Sequence, residues 1–208
     1  MLVSNGHRTM MQRVIRIVLL LFLASTCISC SGSFTPTPAP VEKTDHFIAY
    51  GNPRVTVVFY VDLESFESRS FAATTYQEVK KKYIFTGQIK WVVRHFPQSE
   101  NKNAKLAARA AECAAQKKKL FEYMDKVLED KHELTKAKLV RMARELEIEP
   151  EDSNEFETCI DDIETLKALA RDLQLAQDAK IPKAPSFVIG DKGVYPNGLI
   201  SAIEEALK

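Results

Sequence analysis

The sequence predicts an α/β domain in which a strand–helix–strand unit and a strand–strand–helix unit flank a block of helices. Three observations carry this. Val55 to Val61 is a near-continuous run of β-branched and aromatic residues, the pattern of a strand buried on both faces. Between residues 103 and 169, apolar residues recur at helical spacing. Ser186-Phe187-Val188-Ile189 is short and apolar, and Gly190-Asp191-Lys192-Gly193 after it reads as a hairpin turn.

The N-terminus comes first in the chain and has its own signature. Arg13 and Arg16 precede an apolar run from Ile17 to Ala24, followed by small residues and Cys27 and Cys30. This is a charged region, a short apolar region and a processing region, so residues 1–30 read as a signal peptide. The run is too short to span a bilayer, which needs about 20 apolar residues. Ser29-Cys30-Ser31-Gly32 resembles a bacterial lipobox and predicts lipidation of Cys30, although Cys27 stands where that pattern prefers an aliphatic residue. Plain signal cleavage nearby would release a soluble protein instead. Residues 31–45, rich in Ser, Thr, Pro and Ala, read as a flexible linker, and residues 46–208 as the folded domain.

Charge bounds the function. Formal net charge is +1, and loss of Arg8, Arg13 and Arg16 with the leader makes it −2. That balance argues against a bulk electrostatic drive to nucleic acid. Lys80-Lys81-Lys82 reads as a solvated helix face. No phosphate-cradling glycine loop or metal-spaced histidine cluster is present, so neither a cofactor nor a metal is expected.

Within the domain, Asp62-Leu63-Glu64-Ser65 ends the first strand, and Ser65 or Ser68 can cap a helix running to about Tyr83. Gly87 closes that connection, and Ile89 to Val93 is a second strand; such crossovers favour a parallel, central pair. Helical stripes follow: Leu106 and Ala110; Phe121, Met124 and Leu128; Leu139, Met142, Ala143 and Leu146; then Phe156, Ile160, Ile163, Leu166 and Leu169 as one last stripe. All are expected in the core. Val194-Tyr195 reads as the hairpin's return strand, and Asn197 as the cap of a terminal helix through Ile200, Ile203 and Leu207.

Five fragments, in order and suitably spaced, carry a resemblance. They are Tyr50-Gly51-Asn52-Pro53, the strand through Asp62 continuing to Ser68, Arg94-His95-Phe96-Pro97, Asn103 through Ala114, and Ala184-Pro185-Ser186-Phe187-Val188-Ile189-Gly190. Together they resemble the DsbA-like branch of the thioredoxin fold, β-α-β then β-β-α, with a helical insert at about residues 98–180. The resemblance implies an exported disulfide-exchange enzyme of the envelope or periplasm. It also implies a cis peptide at Pro185 and a peptide-binding groove involving Phe66, Ala184 and Pro185.

The chain departs from the family at the decisive place. Where the family carries Cys-x-x-Cys, it has Ser65-Phe66-Glu67-Ser68. Exchange needs a thiolate to attack and a second sulfur to resolve the mixed disulfide. A serine hydroxyl stays protonated at neutral pH and forms no disulfide. Asp62, Glu64 and Glu67 add potential negative charge that opposes thiolate formation. Helix capping explains Ser65 and Ser68 simply; a hydrolytic Ser65 would need a base, and His95 is the candidate nearest in sequence.

Cys113 and Cys159 lie 46 positions apart on two expected insert helices. Some relatives carry a disulfide in this region, so the resemblance implies a structural bridge; a displaced redox pair or two free thiols are the alternatives. The expected function is a redox-inactive module binding an unfolded or partner protein segment, held to the membrane through a lipid anchor only. A thiol–disulfide oxidoreductase and a structural envelope lipoprotein are the rivals.

Overall fold

The computed structural model describes residues 32–208 apart from 38, 39 and 99. The segment expected to be a signal peptide, with the expected lipidation site Cys30, lies outside the described residues.

The centre of the fold is β3 (Val55–Val61) and β4 (Ile89–His95), paired in parallel from Val55 beside Ile89 to Val61 beside His95. Both strands are buried along nearly their whole length, which is why they read as continuous apolar runs. The pleat sends alternate side chains to opposite faces. Val57, Phe59 and Val61 meet the larger core, while Val58 and Tyr60 meet a smaller one with Val92, Ala176, Ala179 and Val188.

Antiparallel β5 (Ser186–Ile189) and β6 (Lys192–Val194) extend the sheet beyond β3. The hairpin turn is tighter than the sequence suggests. Ile189 already faces Lys192, so Gly190-Asp191 alone make the turn, with Gly190 at φ 61°, and the return strand starts before Val194.

Two further strands were not legible. β1 (Ser33–Phe34) pairs with β6, and β2 (His46–Ile48) pairs with β4, giving the order β1-β6-β5-β3-β4-β2. The segment expected as a flexible linker is therefore docked. Pro36 is buried, the Thr37 amide donates to the Ala179 carbonyl at 3.1 Å, and Arg94 donates to the Pro40 carbonyl at 2.7 Å. The reason is buried polar chemistry: Arg94 carries a charge into the core, and the carboxylate that compensates it is Asp45, in this same segment.

The connection from β3 to β4 is α1 (Phe66–Ala73), α2 (Thr75–Val79) and a wide turn at Lys80–Ile84. It is not one helix to Tyr83, because Thr74 leaves helical geometry at φ −124°, ψ −96°. Gly87 ends it at φ 75°; a Cβ there would stand 2.7 Å from the Tyr50 carbonyl oxygen, so only glycine fits.

The insert contains α3 (Lys102–Gln116), α4 (Leu120–Glu129), α5 (Lys136–Glu145), α6 (Glu155–Ile160) and α7 (Ile163–Asp178). The final predicted stripe breaks between α6 and α7. Asp162 caps α7, its carboxylate accepting from the Glu164 amide at 3.0 Å, and the change of direction leaves Ile163 and Leu166 exposed. After β6, Pro196–Gly198 forms a single 3-10 turn containing Asn197, and α8 spans Leu199–Leu207, starting later than the predicted cap.

No helix among the described residues is long and apolar enough to cross a membrane. Behind α1, five rings (Phe59, Phe71, Tyr76, Trp91 and Phe187) pack with centroids 4.8–6.4 Å apart. Burying each such ring stabilises the fold by about 1.5–3 kcal/mol, so this cluster fixes the helix that carries the site.

Candidate functional site

The site is assembled where β3 ends. Asp62 is buried, and its carboxylate is occupied by backbone: Oδ1 accepts from the Glu64 amide and Oδ2 from the Gln98 amide, both at 2.9 Å. These two bonds tie the loop before α1 to the segment after β4. Ser65 then caps α1. It is extended at φ −73°, ψ 141°, and its Oγ accepts from the Ser68 amide at 3.0 Å. The Ser65 hydroxyl donates to Ser68 Oγ at 2.8 Å. Ser68 is fully buried, whereas Phe66 between the two serines is 80 % exposed.

The hydroxyls thus satisfy each other and the helix end. The charges near them differ from expectation. Burial raises the Glu64 carboxyl above its ordinary value, but Glu64 faces Arg69 at 3.1 Å and accepts from the Leu134 amide at 3.3 Å. Asp62 and Glu64 are both used by the scaffold, and Glu67 alone of the three is solvent-exposed. The acids therefore brace the loop more than they load the helix start with charge.

On the neighbouring strand, the Ala184–Pro185 peptide is cis. Ser186 pairs with Tyr60, which places Pro185 beside the end of β3, at the same end of the sheet as Ser65. Ala184 and Pro185 are both buried, so neither presents an exposed side chain at this end of the sheet. Phe66 also borders a cavity of about 640 Å³ between α1 and α4, with Ala72, Ala73 and Leu128 as apolar lining and Arg69 and Lys131 as cations.

His95 does not join this site. Its side chain is 1 % exposed and turned toward Glu112, with Nε2 3.6 Å from Oε1, and burial holds its pKa below the ordinary value. Neither ring nitrogen hydrogen-bonds. Without a base on Ser65, hydrolytic chemistry has no geometric support.

Sequence reasoning missed the ionic cluster around His95. Arg94 pairs with Asp45 at 2.7 Å, both side chains fully buried, and donates to Tyr60 Oη at 2.9 Å. Burial pushes the Asp45 carboxyl up, but Arg94 and the Glu42 amide outweigh it and hold the group below its ordinary value. Next to this, His46 Nε2 lies 2.9 Å from Glu112, a bond that raises the His46 pKa against the effect of burial. Asp172 accepts from the His95 amide and pairs with Arg171, each at 2.7 Å, and burial raises its carboxyl. Two ionisable residues, Arg94-His95, directly after the apolar run Trp91-Val92-Val93 were the available signal. Among the described residues, no three His, Cys, Asp or Glu side chains converge to hold a metal ion.

Cys113 on α3 and Cys159 on α6 are joined by a disulfide, with Cα atoms 5.9 Å apart. Cys113 is 2 % exposed, within the insert core. In the chain-entropy account, a loop of this length stabilises the fold by roughly 4 kcal/mol.

A parallel β-α-β unit, an antiparallel hairpin preceded by a cis proline, and a five-helix insert define a thioredoxin-like fold of the DsbA type. The family model described as Thioredoxin (Thioredoxin_4) matches residues 42–208, and the chain belongs to that family. Among solved structures, oxidised BdbD from Bacillus subtilis is similar at TM-score 0.73 and 19 % identity, covering 83 % of this chain and 98 % of that one. Wolbachia pipientis alpha-DsbA1 is similar at TM-score 0.69 and 19 % identity, covering 80 % and 92 %. The chain is also 28 % identical over 171 residues to the Na(+)/H(+) antiporter NhaA of Herminiimonas arsenicoxydans, covering 80 % of this chain. It spans about a quarter of the length of the curated relatives it matches.

Proposed function

We propose that this chain is an exported, redox-inactive DsbA-like module that binds an extended segment of an unfolded or partner protein at the cell envelope. The observation that supports this best is the hydroxyl pair Ser65–Ser68 at the start of α1, closed on itself at 2.8 Å beneath an exposed Phe66. The scaffold of an exchange enzyme is kept, and both sulfurs are missing. Phe66 supplies apolar area, and the backbone around cis Pro185 supplies strand-like hydrogen bonding; neither needs sulfur. The leader, and Cys30 as its lipid acceptor, supply the envelope address. The likeness of the domain to part of a membrane antiporter fits a membrane-proximal setting.

The rival reading is a thiol–disulfide oxidoreductase, favoured by the fold's likeness to exchange proteins. It has only Cys113 and Cys159 to work with inside the domain, and they are bonded to each other on insert helices.

A paired assay decides between them. The natural chain should neither reduce insulin nor refold a scrambled substrate, while Ser65→Cys/Ser68→Cys should gain measurable exchange. A denatured client should bind the natural chain and bind less well to Phe66→Ser. Exchange by the natural chain that disappears in Cys113→Ser would overturn the proposal, as would a natural chain that binds no client.

A further inference from the structure

We propose that the outer edge of β2, with the groove beside it, docks an extended acidic polypeptide segment, at the sheet margin away from the α1 site. β2 is the outermost strand on its side, and among the described residues no strand pairs with its outer edge. A groove of about 450 Å³ runs between residues 45–50 and the turn from α3 to α4. Ala115, Leu120 and Phe121 form its apolar lining opposite Ile48. A strand edge beside an apolar groove is the geometry of strand addition: backbone bonds hold the segment and alternate side chains enter the groove.

Charge selects the occupant. Lys118 lines the groove and its ammonium has no partner among the described residues, while Lys117 and Lys119 reach Glu155 and Glu122 only at 3.5 and 3.8 Å on the surface. On the other face of the edge, Lys90 Nζ lies 3.8 Å from the centroid of the Phe47 ring, which is 49 % exposed. The nearby acids are already engaged, Asp45 by Arg94 and Glu112 by His46. The edge is therefore cationic and flanked by aromatic surface, continued by exposed Tyr50 against Phe85. Two copies meeting here would oppose lysine with lysine, which disfavours self-pairing. An anionic membrane would meet the lysines but leave the strand's amides and carbonyls unpaired. A peptide bearing carboxylates answers both.

Lys118 also sits at φ 61°, the left-handed position that ends α3, where glycine is preferred. This permits a test that does not depend on damaging the fold. The probe is a fluorescein-labelled nonapeptide alternating valine and glutamate, with its valine–lysine counterpart and phosphatidylglycerol vesicles as the other arms. The full chain should bind the glutamate peptide and slow amide exchange at residues 46–50. Lys90→Glu/Lys118→Glu should weaken binding about tenfold. Lys118→Gly should weaken it about threefold while raising the melting temperature. Equal binding of both peptides, binding without protection of residues 46–50, or binding lost in Phe66→Ser would overturn the proposal. So would vesicle binding in place of peptide binding, dimerisation through this edge, or no binding at all.

Discussion

The start of α1 and the junction of β2, β4, α3 and α7 are held by opposite means. At α1, neutral hydroxyls satisfy each other and one helix amide, and a large aromatic side chain stands in solvent. At the junction, Asp45, Arg94, His46, His95, Glu112 and Asp172 bring ionisable groups together in or beside the interior, the Asp45–Arg94 pair among them fully buried and charged, with members drawn from four elements and from the N-terminal segment. The first arrangement is locally closed and tolerant of change. The second is a network in which every member depends on another. The difference teaches where the structural obligation lies: losing a serine at the family's reactive position removes a local cap bond, whereas losing Asp45 from the ionic cluster strands a buried charge.

The comparison breaks most visibly at Asp45. Removing its carboxylate in Asp45→Ala leaves the Arg94 guanidinium buried without a counter-ion, and should lower unfolding free energy by about 3–5 kcal/mol. Urea denaturation measures this; a loss below about 1 kcal/mol, the scale of an exposed pair, would show that water reaches the guanidinium. At the other region, Ser65→Ala removes one cap, and about 1 kcal/mol should go with it. A cost comparable to that at Asp45 would erase the contrast.

The smallest effect is a pH dependence. His46 has its folded pKa raised by Glu112, so its contribution is fully present below about pH 6.5 and fades as pH rises through the raised value. His95 is held below its ordinary value by burial, so its effect runs the other way: stability falls as pH drops below about 6.5. The unfolding midpoint followed from about pH 5 to about pH 9 should therefore decline on both sides. His46→Gln should remove the alkaline-side decline, worth about 1 kcal/mol, and keep the acid-side one. An unchanged alkaline slope in that variant would assign it to another group.

What the sequence made legible follows from the same contrast. β3 and β4 were visible because strands buried on both faces need uninterrupted apolar residues. β1 and β2 were not, since two or three residues at a sheet edge carry no periodicity, and Ser33 and His46 look like solvent-facing residues. The helical stripe through Leu166 was overextended because Asp161-Asp162 offered a break that apolar spacing alone does not register. Ser65 and Ser68 were found by motif position. The ionic cluster was hidden because Asp45 and Arg94 are 49 positions apart and only the folded sheet brings them together. Each member, taken singly, resembles an ordinary surface residue.

The Cys113–Cys159 bond has a mechanical consequence when the two ends of the domain are pulled apart. Residues 114–158, which it encloses and which include α4 and α5, cannot extend when the chain is pulled, because the bond spans all 46 steps from Cys113 to Cys159. Full extension is then shorter by roughly 150–165 Å, at ~3.3–3.6 Å per residue, and the withheld length returns in one step when a reductant opens the loop.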